Sequence, residues 1–394
     1  MFINFWYAAE WGKNLKDRPL KRKILGQDLV LFRDSQGQAH CLANTCSHRG
    51  GSLGNGQVVD GTVECPYHGW RYDGDGKCTR IPAIGKSTKP ISRARVDAYP
   101  VQEKYGLIFA FLGDLPEQQR PPLMNVTQWG DPNYRFTFFD NTIKANYGLA
   151  MENGVDSSHT EFVHSGLMGY RGADRPTGEY VAPYGEVLDR GEWGGEMGAD
   201  YPPGPGWGKF RTIATKILRM DKKFTGAYVN AAYWGPNCLD TSIYLSKEAN
   251  MHIPQYLWET PIDEDTTRMF LVGGRNFVMA PLFDRFDRNR NIKIAGQDAE
   301  ILENITPGRP PESPTDALFV KPDGILGHLE ASRKKWEAMG WRIDLQKMRD
   351  YPPGTKQFVI PSPGRRESDL WVYDAVPLIP AKPTSAISSP AQAS

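Results

Sequence analysis

Cys46-Ser47-His48-Arg49 and, further on, Cys65-Pro66-Tyr67-His68-Gly69-Trp70 carry the most specific signal in the chain. Each half offers one thiolate and one imidazole, and sixteen residues, 49 to 64, separate the halves. Thiolate suits iron–sulfur or zinc sites, and imidazole suits zinc or iron. A zinc finger normally groups two Cys in one half and two His in the other; here both halves are mixed. A two-iron, two-sulfur cluster with one iron on two Cys and the other on two His calls for that mixing, because each loop then touches both irons. Gly50, Gly51 and Gly69 would let the loop backbone approach and donate N–H bonds to sulfur.

Around these loops, residues 20 to 112 read as short strands joined by tight turns. Leu29-Val30-Leu31-Phe32 and Ala39-His40-Cys41-Leu42 flank Asp34-Ser35-Gln36-Gly37, a hairpin signal, and a second turn stands at Asp73-Gly74-Asp75-Gly76. Leu107 to Phe111 reads as a last strand. Cys41, Cys78 and Cys238 lie outside the pattern and read as small buried strand residues. The Pro-rich stretch from Leu115 to Pro122 marks a boundary, giving domains at 1–130 and 131–375 and a disordered Pro/Ser/Ala tail at 376–394. A chain of 394 residues supports two domains without disulfide staples. Its net charge of +1 gives no pull toward nucleic acid or an anionic membrane. With no apolar span and no signal-like N-terminus, a soluble cytoplasmic protein is expected.

The second half opens with a strand at Tyr134 to Phe139 and then residues 146 to 164, which contain Asn153, Asp156, His159 and His164. Two imidazoles plus a carboxylate make the facial triad of non-heme iron. Five residues put the two rings about 140° apart on a straight helix, so the helix is expected to end or bend between them, with Ser165-Gly166 releasing the chain. Two nearby histidines also occur incidentally. Residues 292 to 305 read as a helix whose apolar face, Ile294, Ile301, Leu302 and Ile305, has Asp298 at its middle, while Glu300 and Glu303 point elsewhere. A buried Asp298 needs a cation or a donor such as Arg275. Residues 225 to 279 read as an antiparallel sheet, and 324 to 340 as a helix with Ile325, Leu329 and Trp336 inward. The segment from Tyr180 to Trp207 reads as too irregular for strands, either a lid or a surface excursion. His252 and His328 fit no motif.

The Cys-x-His, sixteen-residue gap, Cys-x-x-His-Gly-Trp pattern resembles the Rieske domain of the Rieske non-heme iron oxygenases. Glu-Asn-Gly-x-Asp-x-x-His-x4-His and Gln-Asp-x-x-Ile-x-Glu resemble their mononuclear iron segments. The likeness runs from Phe-Trp-Tyr-Ala-Ala near the N-terminus to about residue 345, and is nearest the terminal oxygenase (α) components of the homotrimeric class typified by dicamba and vanillate demethylases and carbazole dioxygenase. It implies an α+β chain: an N-terminal all-β Rieske [2Fe-2S] domain, and a C-terminal domain of helices on an antiparallel sheet holding mononuclear Fe(II). By this resemblance Cys46 and Cys65 ligate one cluster iron, His48 and His68 the other, and His159, His164 and Asp298 the mononuclear iron. Asp156 is then the acid that bridges a cluster histidine of a neighbouring subunit to an iron-ligating histidine; as a plain residue it is a helix-start acid. Asn153 then lies near the open iron positions; as a plain residue it is a loop-end Asn.

The expected activity is that of a terminal oxygenase using O2 and NAD(P)H-derived electrons to hydroxylate or oxidatively demethylate an aromatic or alicyclic small molecule. The alternatives are cis-dihydroxylation of an aromatic ring and a non-catalytic Rieske electron carrier. No Gly-x-Gly-x-x-Gly or flavin signature is present, so a separate ferredoxin or flavin reductase is the expected partner, docking over the His48/His68 end.

Overall fold

The computed structural model describes residues 1–164, 182–201, 227–246, 250–312, 315–352 and 354–382. The chain divides into a first unit, Met1–Leu123 with Pro261–Glu264 and Arg333–Ser394, and a second, Met124–Thr260 with Asp265–Ser332. The first unit therefore recovers chain from far beyond the Pro-rich boundary.

In the first unit short apolar runs separated by turns become three small sheets. Strand β1 (Phe5–Trp11) pairs with β11 (Leu107–Leu112), which pairs with β10 (Val101–Lys104). Strands β2 (Leu20–Ile24), β3 (Gln27–Arg33), β4 (Ala39–Ala43) and β9 (Ala98–Tyr99) form the second sheet. Strands β5 (Gln57–Val59), β6 (Thr62–Glu64), β7 (Arg71–Tyr72) and β8 (Cys78–Arg80) form the third. Both expected turns are present, and each closes on a glycine in the left-handed region, Gly37 at φ +82° and Gly76 at φ +75°. Val30, Phe32, Leu42, Leu53, Val63 and Tyr72 pack with Cys46 and Cys65 in one buried cluster, which fixes the roots of both Cys/His loops.

The tail is ordered further than expected. A parallel pair joins Phe358–Val359 to Asp374–Ala375; Val376 is buried, and Lys382 N–H donates to the Ala338 carbonyl. The Pro/Ser/Ala composition misplaces the start of the tail because Val376, Pro377, Ile379 and Lys382 bond to distant backbone, which composition does not record. Residues 383–394 lie outside the described residues.

The second unit is built on a seven-stranded sheet. Its order is β12 (Arg135–Ile143), β18 (Thr267–Arg275), β17 (Met251–Pro261), β16 (Cys238–Ser246), β15 (Ala227–Trp234), β14 (Gly194–Tyr201) and β13 (Val187–Asp189). The last two strands correct the expectation for 180–207. Gly195 and Gly198 read as irregularity, but each lets an aromatic ring lie on the strand: an added Cβ at Gly198 would overlap the Tyr228 hydroxyl, and one at Gly195 would lie 3.1 Å from Tyr233 and closer still to His328. Residues 180, 181 and 202–207 lie outside the described residues.

Helix α1 (Tyr147–Val155) packs on β15 and β16, and helix α3 (Asp284–Leu302) packs on β12. A one-turn helix, α2 (Thr160–Val163), stands between them in sequence. The long helix begins eight residues before the expected start and ends before Ile305. Its buried residues are Asp287, Asn291, Ala295 and Leu302, whereas Ile301 is 47% exposed. The inward stripe is thus partly polar and turned away from Ile301, because buried Arg275 and half-buried Arg290 supply charges for Asp287 to pair with. Helix α4 (Gly324–Ala338) buries Ile325, Leu329 and Trp336 fully, as the periodicity indicates.

Candidate metal centres

The two Cys/His loops of the first unit repeat one backbone pattern. Cys46 N–H donates to the Gly51 carbonyl at 2.9 Å and Cys65 N–H to the Trp70 carbonyl at 2.8 Å; Gly50 N–H and Gly69 N–H donate back to the Cys46 and Cys65 carbonyls, each at 3.0 Å. Gly50 at φ +72° and Gly69 at φ +68° make these turns without strain. The result buries both cysteines (1% and 2% exposed) and exposes both histidines, with the rings of His48 and His68 4.5 Å apart. His48 is held by stacking on Trp70 at 4.5 Å.

The loops fit a cluster with two buried sulfur ligands and two outward nitrogen ligands. A Cβ at Gly51 would come within 2.7 Å of Cys65 Sγ, so the backbone approaches the sulfur as closely as a glycine allows. Burial pushes the Cys46 thiol up to about 11, so its thiolate there calls for a metal's positive charge. Tyr72 Oη lies 3.1 Å from Cys46 Sγ and 2.9 Å from Ser47 Oγ, and Tyr373 Oη donates to the Cys46 carbonyl at 2.9 Å. Neither tyrosine is singled out by sequence. Tyr72 could have been, as an inward residue of a strand adjoining the motif; Tyr373 could not, since 327 residues separate it from Cys46.

In the second unit, ligand atoms of His159, His164 and Asp298 lie within 4.8 Å of one another. The chain breaks ahead of His159 and at His164, not between them. Asp156 ends α1, its carboxylate accepts from Ser158 N–H at 2.6 Å and His159 N–H at 3.1 Å, and α2 restarts from there. With only one helical turn between them, imidazoles at its two ends converge to ring centroids 5.3 Å apart despite the 140° offset. Residues 165 and 166 lie outside the described residues.

Both rings are held by their other nitrogen. His159 Nδ1 lies 3.0 Å from the Asp156 carbonyl and His164 Nδ1 lies 3.1 Å from Gln297 Oε1. Both oxygens accept, so each Nδ1 carries the proton and each Nε2 presents a lone pair, as a metal site requires. The two Nε2 atoms stand 3.7 and 3.1 Å from Asp298 Oδ1, a buried oxygen with no hydrogen-bond partner among the described residues. Burial alone would lower the pKa of His164, but the Asp298 carboxylate and Gln297 outweigh it and raise it, which marks a point that favours positive charge. The donor set fits iron(II). Arg275 is not the partner of Asp298; it pairs with Asp284 at 2.6 Å and Asp287 at 3.4 Å.

The triad opens on a cavity of about 340 Å³ within the second unit. Its walls are mainly aliphatic, including Ile143, Met197, Val229, Leu239, Ile253 and Leu271. Asn153 also lines it, as a half-buried residue inside α1 and not at a loop end. The sequence reading missed Glu259, which lines the cavity from β17 and is 3% exposed. Burial, reinforced by the Asp298 charge, pushes its carboxyl up to about 8. A lone acid in a strand otherwise read as buried was the available signal. His252 is a packed residue, stacked on Tyr244 at 4.3 Å with Tyr134 Oη 2.8 Å from its Nδ1; His328 lies between Tyr233 Oη at 2.6 Å and Asp189 at 2.9 Å.

This fold and these two donor sets define an iron–sulfur protein with a second metal centre. Residues 5–100 match the Rieske [2Fe-2S] domain, and residues 143–339 match the vanillate O-demethylase oxygenase C-terminal domain. The chain belongs to the Rieske oxygenase family that combines these two domains; its cofactors are a Rieske [2Fe-2S] cluster and a mononuclear iron in the C-terminal domain. Among curated relatives, 4beta-methylsterol monooxygenase of Methylococcus capsulatus is 40% identical over 164 residues, 41% of this chain and 44% of that protein. The oxygenase component of dicamba O-demethylase from Stenotrophomonas maltophilia is 33% identical over 184 residues, 47% of this chain and 54% of that protein. The chain thus spans about half the length of these relatives. Crystalline dicamba monooxygenase bound to 3,6-dichlorosalicylic acid superposes with a TM-score of 0.70 at 25% identity, covering 85% of this chain and 97% of that one. Among the described residues, no helix is long and apolar enough to cross a membrane.

Proposed function

We propose that this chain is the terminal oxygenase of a multicomponent Rieske system, hydroxylating or oxidatively demethylating an aromatic or alicyclic small molecule. The observation that carries this is the His159/His164/Asp298 group, whose buried Asp298 Oδ1 has no hydrogen-bond partner among the described residues, opening on an aliphatic cavity. When bound, the cluster supplies single electrons and the mononuclear iron activates dioxygen for oxidation of the adjacent substrate.

The chain's own residues hold and orient. Cys46, Cys65, His48 and His68 would hold the cluster; His159, His164 and Asp298 would hold the iron. Gln297 and the Asp156 carbonyl keep both Nδ1 protons in place and so fix which nitrogen faces the metal. The aliphatic walls exclude water and position a ring, and Asn153 offers an amide to the same cavity. Asp156 is both a cap for α2 and the proposed bridge to a cluster histidine in a neighbouring subunit of a homotrimer. The exposed His48/His68 face is the proposed docking point for a ferredoxin or flavin reductase, and reliance on NAD(P)H-derived electrons fits a cytoplasmic setting.

Methylsterol and tert-butanol monooxygenases and a phenoxybenzoate dioxygenase subunit stand among the relatives, so ring cis-dihydroxylation is the second reading. A non-catalytic carrier would have no use for the triad or its cavity. The test is iron and acid-labile sulfide per chain after anaerobic purification. Wild type should hold one iron beyond the two irons and two sulfides of the cluster, and Asp298→Ala should lose that one iron with sulfide unchanged. A wild type that takes up no iron beyond the cluster, even with iron(II) added, sinks the oxygenase reading.

A further inference from the structure

Among the described residues, one acidic side chain of the cavity has no part in holding the iron or the bridge, Glu259. On β17 the residues Ile253, Gln255, Leu257 and Glu259 face the cavity in strict alternation. Gln255 Nε2 donates to Asn291 Oδ1 on α3 at 3.2 Å. From that bonded pair, four strand residues, about 13 Å, lead to Glu259, and seven helical residues, about 10 Å, lead to Asp298. Both β17 and α3 begin at the Arg275 end of β18, where Asn276 N–H donates to the His252 carbonyl and Arg275 pairs with Asp284. They therefore run the same way from the bonded pair, so Glu259 stands at the triad end of the cavity and the Gln255/Asn291 pair at the other.

Glu259 is 3% exposed and its Oε2 has no hydrogen-bond partner among the described residues. Among the described residues, Arg290 is the one Arg or Lys that lines the cavity, and it is committed to Asp287 at 2.8 Å. An acid left unpaired against Leu239, Leu257 and Leu271 is costly unless a ligand completes it. A carboxylate ligand would set a negative oxygen against the charge of Asp298 at this end. A hydroxyl both donates and accepts, so it satisfies Glu259 in either protonation state.

Resting on the oxygenase reading, we infer that Glu259 is the specificity-determining residue of the cavity, and that the substrate it selects is an apolar ring compound carrying an uncharged hydroxyl directed to the triad end. Its hydrocarbon body fills the aliphatic walls, and its hydroxyl replaces the water that Glu259 would otherwise demand. Asn291, also 3% exposed and with Nδ2 unpartnered among the described residues, offers a donor at the far end.

The experiment is calorimetric binding of naphthalene, 2-naphthol and 2-naphthoate at pH 7 to the full chain, before and after iron(II) loading. Wild type is expected to bind 2-naphthol about ten-fold tighter than naphthalene, and 2-naphthoate weakest. Glu259→Leu should erase the hydroxyl preference while leaving naphthalene binding equal or tighter. Glu259→Gln, which keeps donor and acceptor, should retain it within about three-fold and covers the case of a leucine variant that does not fold. Tightest binding of 2-naphthoate, no hydroxyl preference in wild type, or a preference that survives Glu259→Leu but disappears in Asn291→Leu would overturn the inference. Because binding is read without turnover, the oxygenase reading stands or falls separately, on the iron count.

Discussion

Gln297→Leu isolates the orienting hydrogen bond from the metal ligands themselves. In the folded chain Gln297 Oε1 accepts from His164 Nδ1 at 3.1 Å, and His164 is only 4% exposed, so water offers little substitute. Leaving that N–H unsatisfied costs about 1–3 kcal/mol. At about 1.4 kcal/mol per factor of ten, iron(II) binding should weaken by roughly five- to 140-fold, which brackets the roughly 10- to 100-fold loss typical when the outer partner of a metal-bound histidine is removed. The assay is anaerobic iron(II) titration of chain stripped of mononuclear iron, with acid-labile sulfide as the internal standard for the cluster. Gln297→Glu, which still accepts the Nδ1 proton, should restore binding to the wild-type level or above. If Gln297→Leu binds iron as tightly as wild type, Gln297 does not orient His164 and the site geometry proposed here is wrong.

Asp156→Asn keeps a good capping group but removes the charge, so thermal stability should hold while electron delivery to the mononuclear iron slows in single-turnover measurements; a loss of stability with unchanged electron transfer would reduce Asp156 to a cap. Tyr72→Phe removes the hydroxyl 3.1 Å from Cys46 Sγ. Losing about 1 kcal/mol of stabilisation of the reduced cluster should lower its potential by about 40 mV in a redox titration, and an unchanged potential would show that this hydroxyl does not act on the sulfur. His252 should contribute an acid lability. Burial lowers its pKa to about 4 from an ordinary 6.5, so between those values the unfolded chain binds the extra proton and the folded chain does not. Stability should therefore be undiminished above about pH 6.5 and fall as pH drops toward 4, by at most about 3 kcal/mol. Denaturant unfolding of His252→Gln should show a shallower fall over that window, and an identical slope would refute the assignment.

Local spacing alone carried much of this protein. The two Cys/His loops are set by bonds spanning five residues or fewer, such as Gly50 to Cys46 and Gly69 to Cys65, so their ligands are readable wherever the rest of the chain goes. The hairpin at 34–37 and the inward face of 324–338 follow from turn chemistry and periodicity in the same way. What faces what was settled only by tertiary packing. The sequence places Asp298 on an apolar stripe with Ile301 and Ile305, yet the helix rolls to bury Asp287 and Asn291, because buried Arg275, half-buried Arg290 and the Gln255 amide receive them. Glycines at 195 and 198 look like a loop until Tyr233 and Tyr228 lie across them. Tyr373 reaches Cys46 from 327 residues away, and Glu259 gains its character from neighbours on other elements that empty the space around it of partners. A hydrogen bond within one turn is encoded in adjacent residues. The burial of a charge depends on every surface packed around it, and that sum exists only in the folded chain.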